Sequence, residues 1–104
     1  MKEPLRCRAP AVATVQIDDA NVRVTRWDFE PGAETGWHRH GMAYVVMPVT
    51  DGSLLLELPG GETATASLTA GVAYARAAGV EHNVVNAGSA PLSFVETELK
   101  HLIG

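Results

Sequence analysis

Short segments rich in Val, Ile, Leu, Thr and Tyr recur along this chain, and each ends near Gly, Pro, Asp or Asn. Such segments are typical of β-strands, and the residues that end them favour turns. The pattern predicts about eight strands, at residues 12–17, 21–30, 42–49, 53–58, 62–68, 72–77, 81–86 and 92–99. Because each strand must bury one face, the sequence predicts an all-β fold, either a two-sheet sandwich or a barrel.

The length of the chain, 104 residues, is that of one domain. We find no internal repeat, low-complexity tract or linker that would divide it. Residues 1–10 contain two prolines and charges of both signs, which predicts a loose N-terminal arm or an edge segment. We therefore expect a single domain over residues 1–104.

Charge and cysteine content exclude several classes of function. The eight Lys and Arg residues are scattered and the formal net charge is −4, so nucleic acid is a poor candidate partner. No apolar run approaches the length of about 18 residues that a membrane span needs. Cys7 is the only cysteine, and no signal-peptide core is present, which predicts a cytoplasmic protein. We assign no role to Cys7.

Two histidines, His38 and His40, are separated by one residue. On a helix this spacing turns the side chains roughly 200° apart, whereas on extended chain both project from one face, about 6.5 to 7 Å apart at Cα. Imidazole nitrogen binds Zn, Fe, Ni, Cu and Mn, so such a pair can chelate an ion if a third ligand comes from elsewhere. The remaining candidates are His82, inside the β region, and His101, near the chain end, and we favour His82.

The spacing of glycines and histidines in the middle of the chain resembles the two motifs of the cupin superfamily. The positions that match the first motif are Gly32, His38, His40 and Gly52, and those that match the second are Gly71, Gly79, His82 and Asn86, with Ala77 in place of a proline. The resemblance implies a double-stranded β-helix, or jelly-roll barrel, of two antiparallel sheets that holds a metal ion through histidines of both motifs. Residues 36–46 and 78–86 are also similar to the small single-domain cupins associated with β-alanine catabolism.

One ligand of many cupins, a glutamate three or four residues after the second histidine, is missing. Tyr44 and Val45 occupy those positions. Strand alternation points Tyr44 into the same interior as His38 and His40, where it could ligate the ion, contact substrate or hydrogen-bond near the site, or simply pack. We predict a three-histidine site for one divalent ion (Fe, Mn, Ni or Zn) with open coordination positions.

Several other residues have weaker claims to a role. Arg76 could bind a substrate carboxylate at the cavity or lie outside it. Glu34 and Glu81 flank the histidine segments, where a solvated loop carboxylate is the favoured interpretation over a base, and Glu96 and Glu98 carry less information still. Trp27, Phe29, Trp37, Tyr74 and Phe94 are most simply packing residues, although alternation gives Trp37 and Arg39 an outward direction. Asn86 is expected to stabilise a turn.

These features leave three functions open. The first is a metalloenzyme that oxygenates, isomerises or decarboxylates a small oxygenated or carboxylate substrate. The alternative is a non-enzymatic module that binds a metal or a small ligand for sensing, because a fold alone does not establish turnover. The third is a structural cupin that has lost its site. Apart from a small molecule, the expected partner is a second copy in a homodimer, through the outer sheet near Val45, Val46 and Val49.

Overall fold

The computed structural model of the chain describes residues 8–101, so that Cys7 and most of the predicted arm lie outside it. It contains nine strands: β1 (Val12–Asp18), β2 (Val22–Phe29), β3 (His38–Arg39), β4 (Tyr44–Pro48), β5 (Gly52–Glu57), β6 (Thr63–Leu68), β7 (Tyr74–Arg76), β8 (Glu81–Asn86) and β9 (Leu92–Leu99). One turn of 3-10 helix at Pro59–Gly61 separates β5 from β6. All eight predicted strands are present, and β3 is the additional one.

The strands form two antiparallel sheets. The first has the order β1-β2-β9-β4-β7, and the second has the order β3-β8-β5-β6. Neighbours in each sheet are therefore often distant in sequence, as in Greek-key connections. The predicted all-β fold with two antiparallel sheets is confirmed.

The core lies between the two sheets and follows the alternation of the strands. It includes Phe29 and Phe94, whose ring centroids are 5.4 Å apart, together with Leu54 and Leu92. Val46, which lies in the segment expected to form a dimer, is only 2% exposed and belongs to this core, because its alternation points it inward with Tyr44. Trp37 is 51% exposed, so the outward direction given by strand alternation is correct, and the expectation that a large ring packs inside is not met at this position.

The N-terminal end of the described chain is attached to the barrel. Ala11 donates its backbone N–H to the carbonyl of Glu34, and Glu34 donates to the carbonyl of Ala9. This pairing makes residues 9–11 an edge segment, which is one of the two possibilities predicted for the arm. No helix among residues 8–101 has the length and apolar character of a membrane span.

Candidate metal centre

Strand pairing brings the three predicted histidines together. His38 and His82 are directly opposite each other in the register of β3 and β8. His40 lies just beyond β3, where its backbone N–H donates to Val80 and its carbonyl accepts from Gly79, so the pairing continues past the assigned strand. β3 is only two residues long, yet it places the side chains of residues 38 and 40 on one face, as the spacing predicts.

The ring nitrogens of these histidines converge. Nε2 of His40 is 3.0 Å from Nε2 of His38 and 3.3 Å from Nε2 of His82. Three nitrogens bound at about 2.1 Å to one ion are about 3.0 Å apart at right angles and about 3.4 Å apart at the tetrahedral angle. The observed separations therefore fit a single ion. The fourth described histidine, His101, is exposed and outside the cluster.

The tautomer of His38 is set by the loop before it. Its Nδ1 lies 2.8 Å from the carbonyl oxygen of Gly36, an acceptor that requires a proton on Nδ1. A neutral His38 then presents a lone pair on Nε2, the atom that faces the other rings. Gly36 has a φ of +91°, a conformation that side chains rarely adopt, and this glycine lets the loop turn its carbonyl towards the ring.

Asn83 fixes that loop, a role the sequence analysis missed. Its Oδ1 accepts the backbone N–H of Gly36 at 2.9 Å, and its Nδ2 donates to Glu34 at 2.7 Å and Glu57 at 2.8 Å. Asn83 is only 5% exposed although it alternates with the inward-facing His82, because the loop covers the outer face of β8. The signal in the sequence was a polar residue, Asn83, directly after His82 in a predicted strand.

The glutamates that flank the histidines have structural contacts. Glu34 is held by Asn83 and forms an ion pair with Arg8 at 3.2 Å, so the expectation of a solvated loop carboxylate was incomplete. Glu81 accepts the indole N–H of Trp37 at 2.8 Å on the surface. Asn86 caps the turn after β8, where its Oδ1 accepts from the backbone of Gly88 at 3.0 Å.

Burial keeps two of these three imidazoles neutral. It lowers the pKa of His40 to about 4, and the nearby His38 lowers it further. The pKa of His82 is also about 4, again because of burial first and then the charge of His38, with smaller effects of His40 and Arg76. At neutral pH both imidazoles are therefore unprotonated on at least one nitrogen, which is the form that binds metal.

Tyr44 faces the site, as its parity predicts. It is 3% exposed, and its ring stacks on His40 with centroids 3.9 Å apart and planes 19° from parallel. Burial raises the pKa of its phenol to about 12, with a further contribution from Glu96. The phenol therefore stays protonated at neutral pH. The ring packs against His40 by stacking and so limits the orientation of that imidazole.

Arg76 is exposed and lies opposite Tyr44 in the pairing of β4 with β7. Its guanidinium is 5.7 Å from the ring centroid of Tyr74. These two residues line both a small inner cavity beside the histidines and a groove between the edge strands β6 and β7. The inner cavity has about 30 Å³ open to water-sized molecules and the groove about 480 Å³. Of these two spaces, the groove is the one with room for an organic molecule.

Two carboxylates on β9, Glu96 and Glu98, complete the surroundings of the histidines, although the sequence analysis assigned them less weight than Glu34 and Glu81. Glu96 is 9% exposed, and burial, followed by the charge of Glu98, raises its pKa to about 7. Glu98 forms an ion pair with Arg23 at 2.8 Å. The sequence contained a signal for this position, because Glu96 and Glu98 lie on the same face of β9 as the buried Leu92 and Phe94.

Comparison with known proteins agrees with this architecture. Residues 25–98 match the cupin domain family model. The chain is 62% identical over 93 residues, 89% of its own length and 97% of the relative's, to a protein of Pseudomonas aeruginosa named beta-alanine degradation protein BauB.

Solved structures show the same fold. A cupin domain crystal structure from Bordetella pertussis is 55% identical, covers 92% of this chain and 99% of its own, and superposes with a TM-score of 0.88. A cupin superfamily protein from Desulfitobacterium hafniense shares the fold at 9% identity, with a TM-score of 0.69 over 93% of this chain and 84% of its own. On the family match and the close relatives together, the chain belongs to the cupin family.

Proposed function

We propose that this protein binds one divalent metal ion through His38, His40 and His82 and acts on a small carboxylate compound in the degradation of β-alanine. The observation that carries the proposal is the convergence of three Nε2 atoms, two of whose separations are 3.0 and 3.3 Å. The metabolic setting is taken from the relative in Pseudomonas aeruginosa, whose name states beta-alanine degradation and which is 62% identical.

The protein's contribution at this site is to hold ligands in position and in the right protonation state. Gly36 fixes the tautomer of His38, and Tyr44 stacks on His40. Three nitrogen ligands suit Fe, Mn, Ni or Zn, and leave coordination positions for water or substrate. When bound, such an ion supplies Lewis acidity or, for iron and manganese, redox chemistry. The metal therefore decides among oxygenation, isomerisation and decarboxylation.

Arg76 is the proposed binding group for the substrate carboxylate. Its guanidinium stands where the groove and the inner cavity meet, and a fork of N–H donors suits a planar carboxylate. A substrate anchored there would extend from the groove towards the histidines. Arg76→Gln should raise KM and leave metal content unchanged, while Arg39→Gln, an exposed arginine between two of the ligands, serves as the control. Equal effects of both variants would contradict this role.

The second candidate is a non-enzymatic module that binds a metal or small ligand. The observation in its favour is the size of the inner cavity, about 30 Å³, which holds one or two waters but no organic molecule. Turnover separates the candidates: the iron-loaded protein should consume oxygen, or the zinc-loaded protein should convert a carbonyl compound, in a panel of three-carbon carboxylates. Saturable binding without conversion would favour the module.

Elemental analysis of protein purified without chelators tests the metal site directly. We expect about one ion per chain, and a saturating metal at a hundredfold excess over Kd should stabilise the fold by about 2.7 kcal/mol. His82→Ala should abolish both effects. His101→Ala, which changes an exposed histidine outside the cluster, should preserve them. A wild-type protein without metal-dependent stabilisation, or an equal loss in the two variants, would refute the proposal.

We also propose a homodimer that forms through β1 rather than near Val46. All seven residues of β1 are exposed, including Val12, Val15 and Ile17 at 60, 56 and 48%. Among the described residues β1 pairs only with β2, and a free edge with apolar side chains favours association with a second copy. Val15→Lys should halve the molar mass measured by light scattering. Val72→Lys, at an equally exposed valine away from β1, should not.

A further inference from the structure

The strand β9 carries two carboxylates to the inner face of the barrel beside the histidines. In the pairing of β4 with β9, Glu98 lies opposite Tyr44 and Glu96 opposite Val46. Tyr44 and Val46 are both buried, so their partners on β9 face the same interior. Two acidic residues on a buried face are costly unless a cation compensates them.

The two carboxylates differ in whether a cation is already present. Glu98 is engaged by Arg23 at 2.8 Å. Among residues 8–101, Glu96 takes part in no ion pair, although it is 9% exposed and lines the inner cavity with His38 and His82. The described contacts thus give this buried carboxylate a hydrogen bond with Trp27 but no paired cation.

The distances place Glu96 next to one of the three histidines, His40. Ligand atoms of His40, Glu96 and Glu98 lie within 4.8 Å of one another. Glu96 therefore neighbours the three-histidine cluster through His40, and its side chain has to rotate to reach an ion held by all three rings.

We infer that Glu96 is a fourth protein ligand of the metal ion, delivered by β9 in place of the carboxylate that is missing at Tyr44 and Val45. This inference rests on the proposed function, because it requires an ion at the histidines. The carboxylate would neutralise one of the two positive charges, and the ion would in turn supply the cation that Glu96 lacks. A bound ion would then still have coordination positions for water or substrate.

Zinc binding to isosteric variants tests the inference without an activity assay. Glu96→Gln should lower the affinity for zinc at least about tenfold, the scale of losing a group that supports a metal site. Glu98→Gln is the matched control, since it removes a carboxylate two residues away whose partner is Arg23, and it should bind zinc like the wild type. Infrared difference spectra recorded on adding zinc should show a carboxylate band in the wild type and in Glu98→Gln, but not in Glu96→Gln.

The outcomes separate this inference from the proposed function. Unchanged affinity and an unchanged carboxylate band in Glu96→Gln, with zinc binding still abolished in His82→Ala, would overturn the inference and leave the three-histidine site intact. Loss of the band in Glu98→Gln instead would overturn it in favour of Glu98. If a variant does not fold, the wild-type spectrum still decides, because the absence of any carboxylate change on zinc binding refutes the role of Glu96. Absence of zinc binding by the wild type would refute both proposals.

Discussion

Replacing Asn83 with alanine should both weaken the fold and loosen the metal site. The change removes hydrogen bonds to Glu34 and Glu57 and the acceptor for the Gly36 N–H. The side chains of Glu34 and Glu57 are 27 and 34% exposed, so water can replace the lost donors. Each of those bonds therefore contributes about 1 kcal/mol, which is less than the roughly 1.5 to 3 kcal/mol of a bond to a charged group that water does not reach. With the Gly36 N–H, the free energy of unfolding should fall by about 3 kcal/mol.

The effect on the metal follows from the path between Asn83 and His38. Without its anchor, Gly36 no longer holds its carbonyl against Nδ1 of His38, so the ring loses its fixed tautomer and direction. Loss of such an orienting contact typically lowers metal affinity by about 10- to 100-fold. Urea denaturation followed by circular dichroism measures the stability of the metal-free variant, and zinc titration measures the affinity.

Asn86→Ala provides the matched control on the same strand. Asn86 is 2% exposed, donates to the carbonyls of Ala90 and Phe29 at 2.9 and 3.3 Å, and accepts from Gly88. Its loss should reduce stability by a comparable amount while zinc affinity stays unchanged, because none of its side-chain bonds reaches the loop before His38. A loss below about 1 kcal/mol in Asn83→Ala, or an equal drop in zinc affinity in both variants, would refute the reasoning.

Three further predictions concern protons and packing. Because the pKa values of His40 and His82 fall from 6.5 to about 4 on folding, the unfolded chain binds protons first, and the metal-free protein should lose stability in urea titrations as the pH falls from about 6.5 to 4. Glu96 acts in the opposite sense: its pKa rises from 4.5 to about 7 on folding, so its contribution to the free energy of unfolding is lost as the pH rises through 7. Glu96→Gln should therefore stabilise the metal-free protein more at pH about 8 than at pH about 4. An equal effect at both pH values would contradict this. Gly52→Ala should destabilise the fold by about 1 to 3 kcal/mol in thermal unfolding, because a Cβ there would overlap Cδ1 of the fully buried Leu92, and unchanged stability would show that Leu92 can move.

Local backbone geometry explains what could be predicted well. Alternation along extended chain put Tyr44 inward and Trp37 outward, and turn residues marked the ends of eight strands. The same rule placed His38 and His40 on one face. β3 was missed as a separate strand because a two-residue strand between Gly36 and Gly41 is too short to have a pattern of its own.

Contacts between strands distant in sequence were decided only by the tertiary structure. The register that sets His38 opposite His82 belongs to the pairing of two strands more than 40 residues apart in one sheet, and the sequence suggested that partner only through the family motif. The same holds for Asn83, whose partners come from two other segments, and for Glu96, which pairing with β4 carries to the histidines. The sequence by itself determined which way each side chain leaves its strand, because that depends on neighbouring residues alone. Which residues each side chain contacts was decided only by folding, since the register of the strands depends on the packing of the whole barrel.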